Sequence, residues 1–250
     1  MKYSILSFSF GDYEELREPE EIDEECEYIF VTDNKKLKSD KWNIIYLNET
    51  FNDMNSITKT FYVRYHPFDF VNTDTVIILD GSMRIKKSLS KLYNDFILKN
   101  VDCALGTWTE SVSSQYGMYH YWLTSRGYSK ENYIRNRAFC NALKFNGADV
   151  FHETGYMIYK NTQICKDFLD YVWCSINKIS ENKNALDRLD QTIFNAILYS
   201  LYPEMKVLNL SRQIIQSDYI KYESHKNGEN KNLKVKLNDY FEKKYELYHI

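Results

Sequence analysis

The chain lacks any run approaching the roughly 20 apolar residues that a membrane span requires. No secretory signal is expected either, because the opening MKYSILSFSFGDYEE turns acidic too soon. The expected compartment is therefore the cytoplasm. Close cysteine pairs are missing too. The five cysteines (Cys26, Cys103, Cys140, Cys165, Cys174) are scattered and odd in number. Neither a disulfide framework nor a zinc site follows from such spacing, and buried free thiols are the simpler expectation. There is no basic excess: the net charge is -3, which disfavours an extended nucleic-acid surface. Internal repeats and low-complexity linkers are absent as well.

What is present suits a globular enzyme-sized unit. The 250 residues are 44% hydrophobic, enough for one large α/β domain, alone or with a small C-terminal appendage. Acid is concentrated between Asp12 and Glu27, which reads as a solvated loop or helix face. Aromatics reach 16%, with 22 Tyr. Stacking on carbohydrate and ordinary core packing account for that excess equally well.

Short β-type runs alternate with helical patterns. Strands are expected at 3–9, 27–32, 43–47, 75–80 and 102–108, and again at 155–159. Helices are expected at 54–65, 88–99 (with Ser88 as N-cap), 162–179 and 187–201, where Pro203 closes the last. Residues 112–145 read as mainly helical, with a break near Gly127 and a restart capped by Ser129. Two short strands are expected within 206–216, and a terminal helix from Asn238. The alternation predicts an α/β fold with a mainly parallel central sheet flanked by helices in the Rossmann-like manner. The apolar stretch VIIL before Asp80 fits a central strand buried on both faces.

Five segments could carry chemistry. In IILDGS (77–82), Asp80 falls at a strand's carboxyl end, where ligands of open α/β sheets sit. Gly81 admits close backbone approach and Ser82 adds a hydroxyl. A carboxylate there can hold a hard divalent cation and, through it, a diphosphate; a turn-capping Asp-Gly is the plainer alternative. In IFVTDN (29–34), Asp33 could accept from a base or ribose, or simply form a turn. In FHETGYMIYKN (151–161), Glu153 could bind sugar hydroxyls or act as a base, while His152 is more simply structural. In RLDQTIFNAIL (188–198), Asp190 and Gln191 open a helix whose N-terminus favours carboxylates and aims amide donors at ligands; Asp190 could equally be a plain cap. ESHKNG (223–228) brings an imidazole, an ammonium and a turn together at His225, Lys226 and Gly228.

Taken in order, these segments resemble a GT-A type glycosyltransferase, and most nearly the hexosyltransferase-like family once catalogued as a domain of unknown function. The resemblance rests on YIFVTDN (28–34), VRYHPFDF (63–70), VIILDGSMRI (76–85), LKFNGADVFHETGYMIYKN (143–161) and LDQTIFNAIL (189–198). It spans roughly residues 3–200. It implies transfer of a hexose from a nucleoside diphosphate sugar, such as a UDP-hexose, to a glycan or glycolipid acceptor in surface polysaccharide or glycoconjugate synthesis. Asp33 would lie by the nucleoside, and Arg64 would face the donor or its diphosphate. Asp80 would be the first acid of a DxD-like metal-binding signature for manganese or magnesium. Ser82 replaces the second acid of that signature, a departure that weakens the metal site or shifts it onto His225. Lys226 is a phosphate partner on this reading, and Asp190 and Gln191 face the transferred sugar. A catalytic domain over 1–217 is expected, with a polar segment over 218–250 forming a lid or a terminal helix, or touching a membrane that carries a lipid-linked acceptor. Two other readings stay open: a sugar nucleotidyltransferase, against which SFSFGDYEE offers one glycine rather than a Gly-rich phosphate loop, and a non-catalytic nucleotide- or glycan-binding module with a degenerate metal site.

Overall fold

A computed structural model describes residues 1–107, 130–145, 150–179 and 190–223. Seven strands form one sheet: β1 (Tyr3–Ser9), β2 (Cys26–Thr32), β3 (Asn43–Tyr46), β4 (Thr75–Asp80), β6 (Cys103–Thr107), β7 (His152–Lys160) and β8 (Val207–Ser211). Their order across the sheet is β3-β2-β1-β4-β7-β6-β8. The β1–β2, β1–β4, β2–β3 and β6–β8 pairs are parallel. Only β7 runs against its neighbours, β4 and β6. The expected mainly parallel α/β sheet is thus the one observed.

Alternation along β4 explains why its sequence reads as one apolar run. Val76 and Ile78 face one core layer, and Ile77 and Leu79 face the other. Successive side chains of a strand point to opposite faces, so a strand covered on both sides must be apolar throughout. On the first face lie α1 (Ser56–Tyr65), α4 (Gln163–Ile179) and α5 (Asp190–Leu201), through Phe61, Phe168, Leu169, Phe194 and Ile197. On the second lies α2 (Ser90–Lys99), through Phe96. In α4, Cys165, Phe168, Leu169, Val172 and Ile176 are buried, the three-and-four spacing of a one-sided helix. A further helix, α3 (Lys130–Ala142), and a small two-stranded sheet of β5 (Met83–Ile85) and β9 (Ile220–Tyr222) complete the described architecture.

Several expectations need correction. Ser88 is not the N-cap: α2 begins at Ser90, and the Ser88 hydroxyl instead accepts from the Ser90 N–H in the approach to the helix. Within 206–216 there is one strand, β8, followed by a helical turn at Arg212–Ile214 and a π-helical turn at Ile215–Tyr219. The next strand, β9, lies beyond position 217, and Glu223 still donates its N–H to the Ser82 carbonyl. Four cysteines are buried free thiols, but Cys174 is exposed. The acid-rich stretch is not merely solvated. Glu14 and Arg17 pair at 3.1 Å with side chains only 4% and 10% exposed; the arginine inside the stretch neutralises acid that would otherwise need water. Among the described residues, no helix is long and apolar enough to cross a membrane.

Candidate active site

The sheet order creates a crevice. After β1 the chain moves outward to β2 and β3, then returns through α1 to place β4 on the other side of β1. Connections therefore diverge between the carboxyl ends of β1 and β4, the point at which open α/β sheets bind ligands. A cavity of about 620 Å³ opens there. Phe8, Ser9, Phe10 and Gly11 line it from the end of β1, and Asp80, Gly81 and Ser82 from the end of β4. Because β7 is antiparallel, its beginning lies at this same end and brings in Glu153, Thr154 and Gly155.

Close packing at this end depends on glycine. A Cβ at Gly81 would stand 2.5 Å from the Phe8 carbonyl oxygen. A Cβ at Gly155 would meet Met83 Cε at 2.8 Å and the Tyr222 hydroxyl at 3.0 Å. At Gly81 the obstacle is backbone, whereas at Gly155 it is the ends of side chains, which would have to shift to admit a Cβ.

Arg64, in the last turn of α1, organises the charges. It donates from Nη2 to Asp80 Oδ1 and from Nη1 to Asp190 Oδ2, the latter at 2.7 Å. Burial alone would weaken its charge, but Asp80 and Asp190 outweigh burial and keep the guanidinium protonated. The Phe8 and Phe61 rings lie 5.7 and 5.6 Å from it. Asp190 Oδ2 also accepts from Thr154 Oγ1 at 2.9 Å and from the Tyr65 hydroxyl at 3.1 Å. Three donors on one oxygen fix this carboxylate at the first residue of α5.

A second device sets α5 against β7. Asn195 is fully buried; its Oδ1 accepts from the His152 N–H at 2.9 Å, and its Nδ2 donates to the carbonyls of His152 and Gln191 at 2.9 and 2.7 Å. The amide thereby locks Asp190 and Gln191 in register with Glu153 and Thr154.

Glu153 is buried beside these groups. Burial pushes its carboxyl up to about 7, Arg212 opposes that rise, and Asp80 adds to it. Arg212 Nη1 stands 3.3 Å from Glu153 Oε1, yet that oxygen has no aligned hydrogen bond. Arg64 Nε and Gln191 Oε1 are likewise buried without a hydrogen-bond partner. Buried polar atoms are rarely left so, and an ordered water, an ion, a catalytic role or a bound ligand accounts for such cases.

Of the residues singled out from sequence, Arg64, Asp80, Gly81, Ser82, Glu153, Asp190 and Gln191 all line the one cavity. Asp33 is not among its lining residues. It sits one layer back, accepting from the Gly11 N–H at 3.0 Å and from Lys59 Nζ at 2.9 Å. His152 is buried behind the site, 2.9 Å from the Tyr199 hydroxyl, and burial lowers its imidazole to about 4. His225, Lys226 and Gly228 lie outside the described residues, as do Ser129, the terminal helix expected from Asn238 and the lid expected beyond Glu223. Sequence reasoning missed Arg212, Thr154, Asn195 and Tyr222. Their significance comes from partners distant in the chain, and no local pattern marks them.

The expected metal set was Asp80, Ser82 and His225. Among the described residues, no group of three or more His, Cys, Asp or Glu gathers to hold a metal ion. Arg64 already occupies Asp80 Oδ1, and Ser82 offers only a neutral hydroxyl. This described donor set does not fit a divalent cation, which ordinarily takes several anionic or carbonyl oxygens.

No protein-family model matches the sequence, and no curated protein matches it significantly. Among solved structures, the chain is similar to apo mouse xyloside xylosyltransferase 1, at 11% identity and TM-score 0.44, covering 84% of this chain and 85% of that one. It is similar to the galactosyltransferase LgtC in complex with donor and acceptor sugar analogs, at 14% identity and TM-score 0.43, covering 82% and 72%. A third is the apo bifunctional glycosyltransferase WbbM, at 10% identity and TM-score 0.47, covering 84% of this chain but 44% of that one. At such identities and TM-scores these likenesses assign neither activity nor substrate.

Proposed function

We propose that the chain is a glycosyltransferase that moves a hexosyl group from a nucleoside diphosphate sugar to an acceptor hydroxyl. The observation that carries this reading is the convergence of Arg64, Glu153 and Gln191, each with an unsatisfied buried polar atom, on one cavity at the sheet's switch point. A polyhydroxylated ligand supplies both donors and acceptors, so it can satisfy a guanidinium N–H, a carboxylate and an amide oxygen together. A cavity of about 620 Å³ is within the usual range for small-ligand sites, roughly 300–1,000 Å³.

The geometry supports the following roles. Asp190, with one oxygen held by three donors, orients rather than abstracts. Gln191, next to it, accepts from a sugar hydroxyl through Oε1. Glu153, with its carboxyl near neutrality, takes the proton of the attacking acceptor hydroxyl. Arg64 holds Asp80 and Asp190 in place. A UDP-hexose donor and a glycan or glycolipid acceptor are the finer form of this proposal, supported by the sequence resemblance alone.

The test is release of nucleoside diphosphate from a panel of UDP-, GDP-, ADP- and CDP-sugars, with simple glycosides as acceptors. Turnover of at least one donor, lost in Asp190→Asn, is expected. A panel with no turnover, and no binding of any member by calorimetry, would overturn the reading.

A further inference from the structure

We propose that Arg212 receives the donor's diphosphate and leaves Glu153 to do so, exchanging one anionic partner for another. The proposal rests on the sugar-nucleotide reading of the cavity. It concerns a residue outside the acid-led signature, at a strand end that the sequence does not mark.

The position is the first argument. Arg212 directly follows β8, which runs parallel to β6. Its side chain therefore emerges at the same sheet end as Asp80 and reaches the cavity from the far edge of the sheet.

Charge is the second. The cavity wall carries Glu14, Asp80, Glu153 and Asp190 against Arg64 and Arg212. A diphosphate entering there meets carboxylates unless a guanidinium turns to it. Arg64 is committed: it spans Asp80 and Asp190 with only 7% of its side chain exposed. Arg212 is 28% exposed, while its partner Glu153 is 6% exposed. The arginine is therefore the partner that a ligand in the cavity can reach, whereas the carboxylate is enclosed.

The contact itself is the third argument. At 3.3 Å the pair is an ion pair, yet Glu153 Oε1 receives no aligned hydrogen bond. A phosphate offers Arg212 the paired, charge-assisted hydrogen bonds that Glu153 does not provide in this geometry. The Arg212 guanidinium lies 5.6 Å from the Tyr222 ring, and Tyr222 lines the cavity. The ring gives the flat cation a face to slide along as it exchanges partners.

Opposite effects of two substitutions test the exchange. Calorimetry would compare the tightest binder among UDP, GDP, ADP and CDP with its own nucleoside, in manganese and in EDTA. Thermal melts would confirm folding of each variant. Arg212→Ala should weaken the diphosphate by roughly tenfold or more, as loss of a charge-assisted hydrogen bond does, and leave the nucleoside unchanged. Arg212→Lys should fall between. Glu153→Gln should tighten the diphosphate, because the competing carboxylate is gone. Equal losses for nucleotide and nucleoside in Arg212→Ala, or weaker diphosphate binding in Glu153→Gln, overturn the exchange while the cavity's assignment stands. Absence of binding by the wild-type chain to all four nucleotides in both buffers overturns both.

Discussion

Glu153 and Asp190 are both buried acids, yet their surroundings differ in kind. Asp190 has three donors on one oxygen. Glu153 has a single unaligned arginine contact, and its carboxyl rises to about 7 from an ordinary 4.5. Its folded value exceeds the unfolded one, so folding favours the protonated acid. The associated stability is complete below about pH 4.5 and is lost as pH climbs through about 7. Glu153→Gln removes that titration. The stability of the variant relative to wild type should grow by about 3 kcal/mol across this window and then level off. Urea unfolding from about pH 4 to 8 measures it, and a pH-independent offset would show that the carboxyl titrates normally. Asp80 poses a different question, because it could be a turn residue only. Asp80→Asn keeps the shape but removes the charge facing Arg64, so donor turnover should fall at least about a hundredfold, the usual scale for removing a preorganised electrostatic contact. Wild-type turnover in the variant would reduce Asp80 to a turn-former.

At the scale of elements, the site depends on holding the start of α5 against the start of β7. Asn195 makes two hydrogen bonds across that seam, with the His152 N–H and carbonyl, and a third within α5 to the Gln191 carbonyl. Asn195→Ala strands the buried N–H and carbonyl of His152, a loss of about 2–4 kcal/mol given the cost of each unsatisfied group. Denaturant unfolding checks the stability, and kinetics should show a lower kcat from the displaced Asp190 and Gln191. A change below about 0.5 kcal/mol would mean that water replaces the amide. The sequence made the frame of this arrangement legible. Apolar runs ending in Asp80 or beginning at Gly155 announce strands, and the spacing of Ile193, Phe194 and Ile197 announces a helix, because periodicity is local. Pairing is not local. Nothing near Met83 says that it pairs with Tyr222, and nothing near Arg212 says that Glu153 is its partner. Gly81 and Gly155 were visible as glycines, but the carbonyl and side chains that exclude a Cβ come from other strands. Ser88 misled because a serine before a helical pattern resembles a cap even when the helix starts two residues later.

Across the whole molecule, Arg64 ties three distant parts of the chain together at one point. It rises from α1, reaches Asp80 at the end of β4, and meets Asp190 at the start of α5. Removing the guanidinium would leave a buried carboxylate beside a half-buried one with their repulsion uncompensated. Breaking such a pair by deleting one partner typically costs about 3–5 kcal/mol. The lower part of that range is expected here, because the Asp80 side chain is 31% exposed and water screens it. Arg64→Met retains the apolar stem that packs near Phe8 and Phe61, so the loss it reports is chiefly that of charge. Asp190→Asn introduced into the Arg64→Met background should recover part of the stability, because it removes the more deeply buried of the two orphaned charges. Neither variant should bind donor tightly, since stability and binding draw on the same side chains at the switch point. Urea unfolding of both single variants and the double variant measures the coupling. Additive losses would show that Arg64 and Asp190 do not act as one unit.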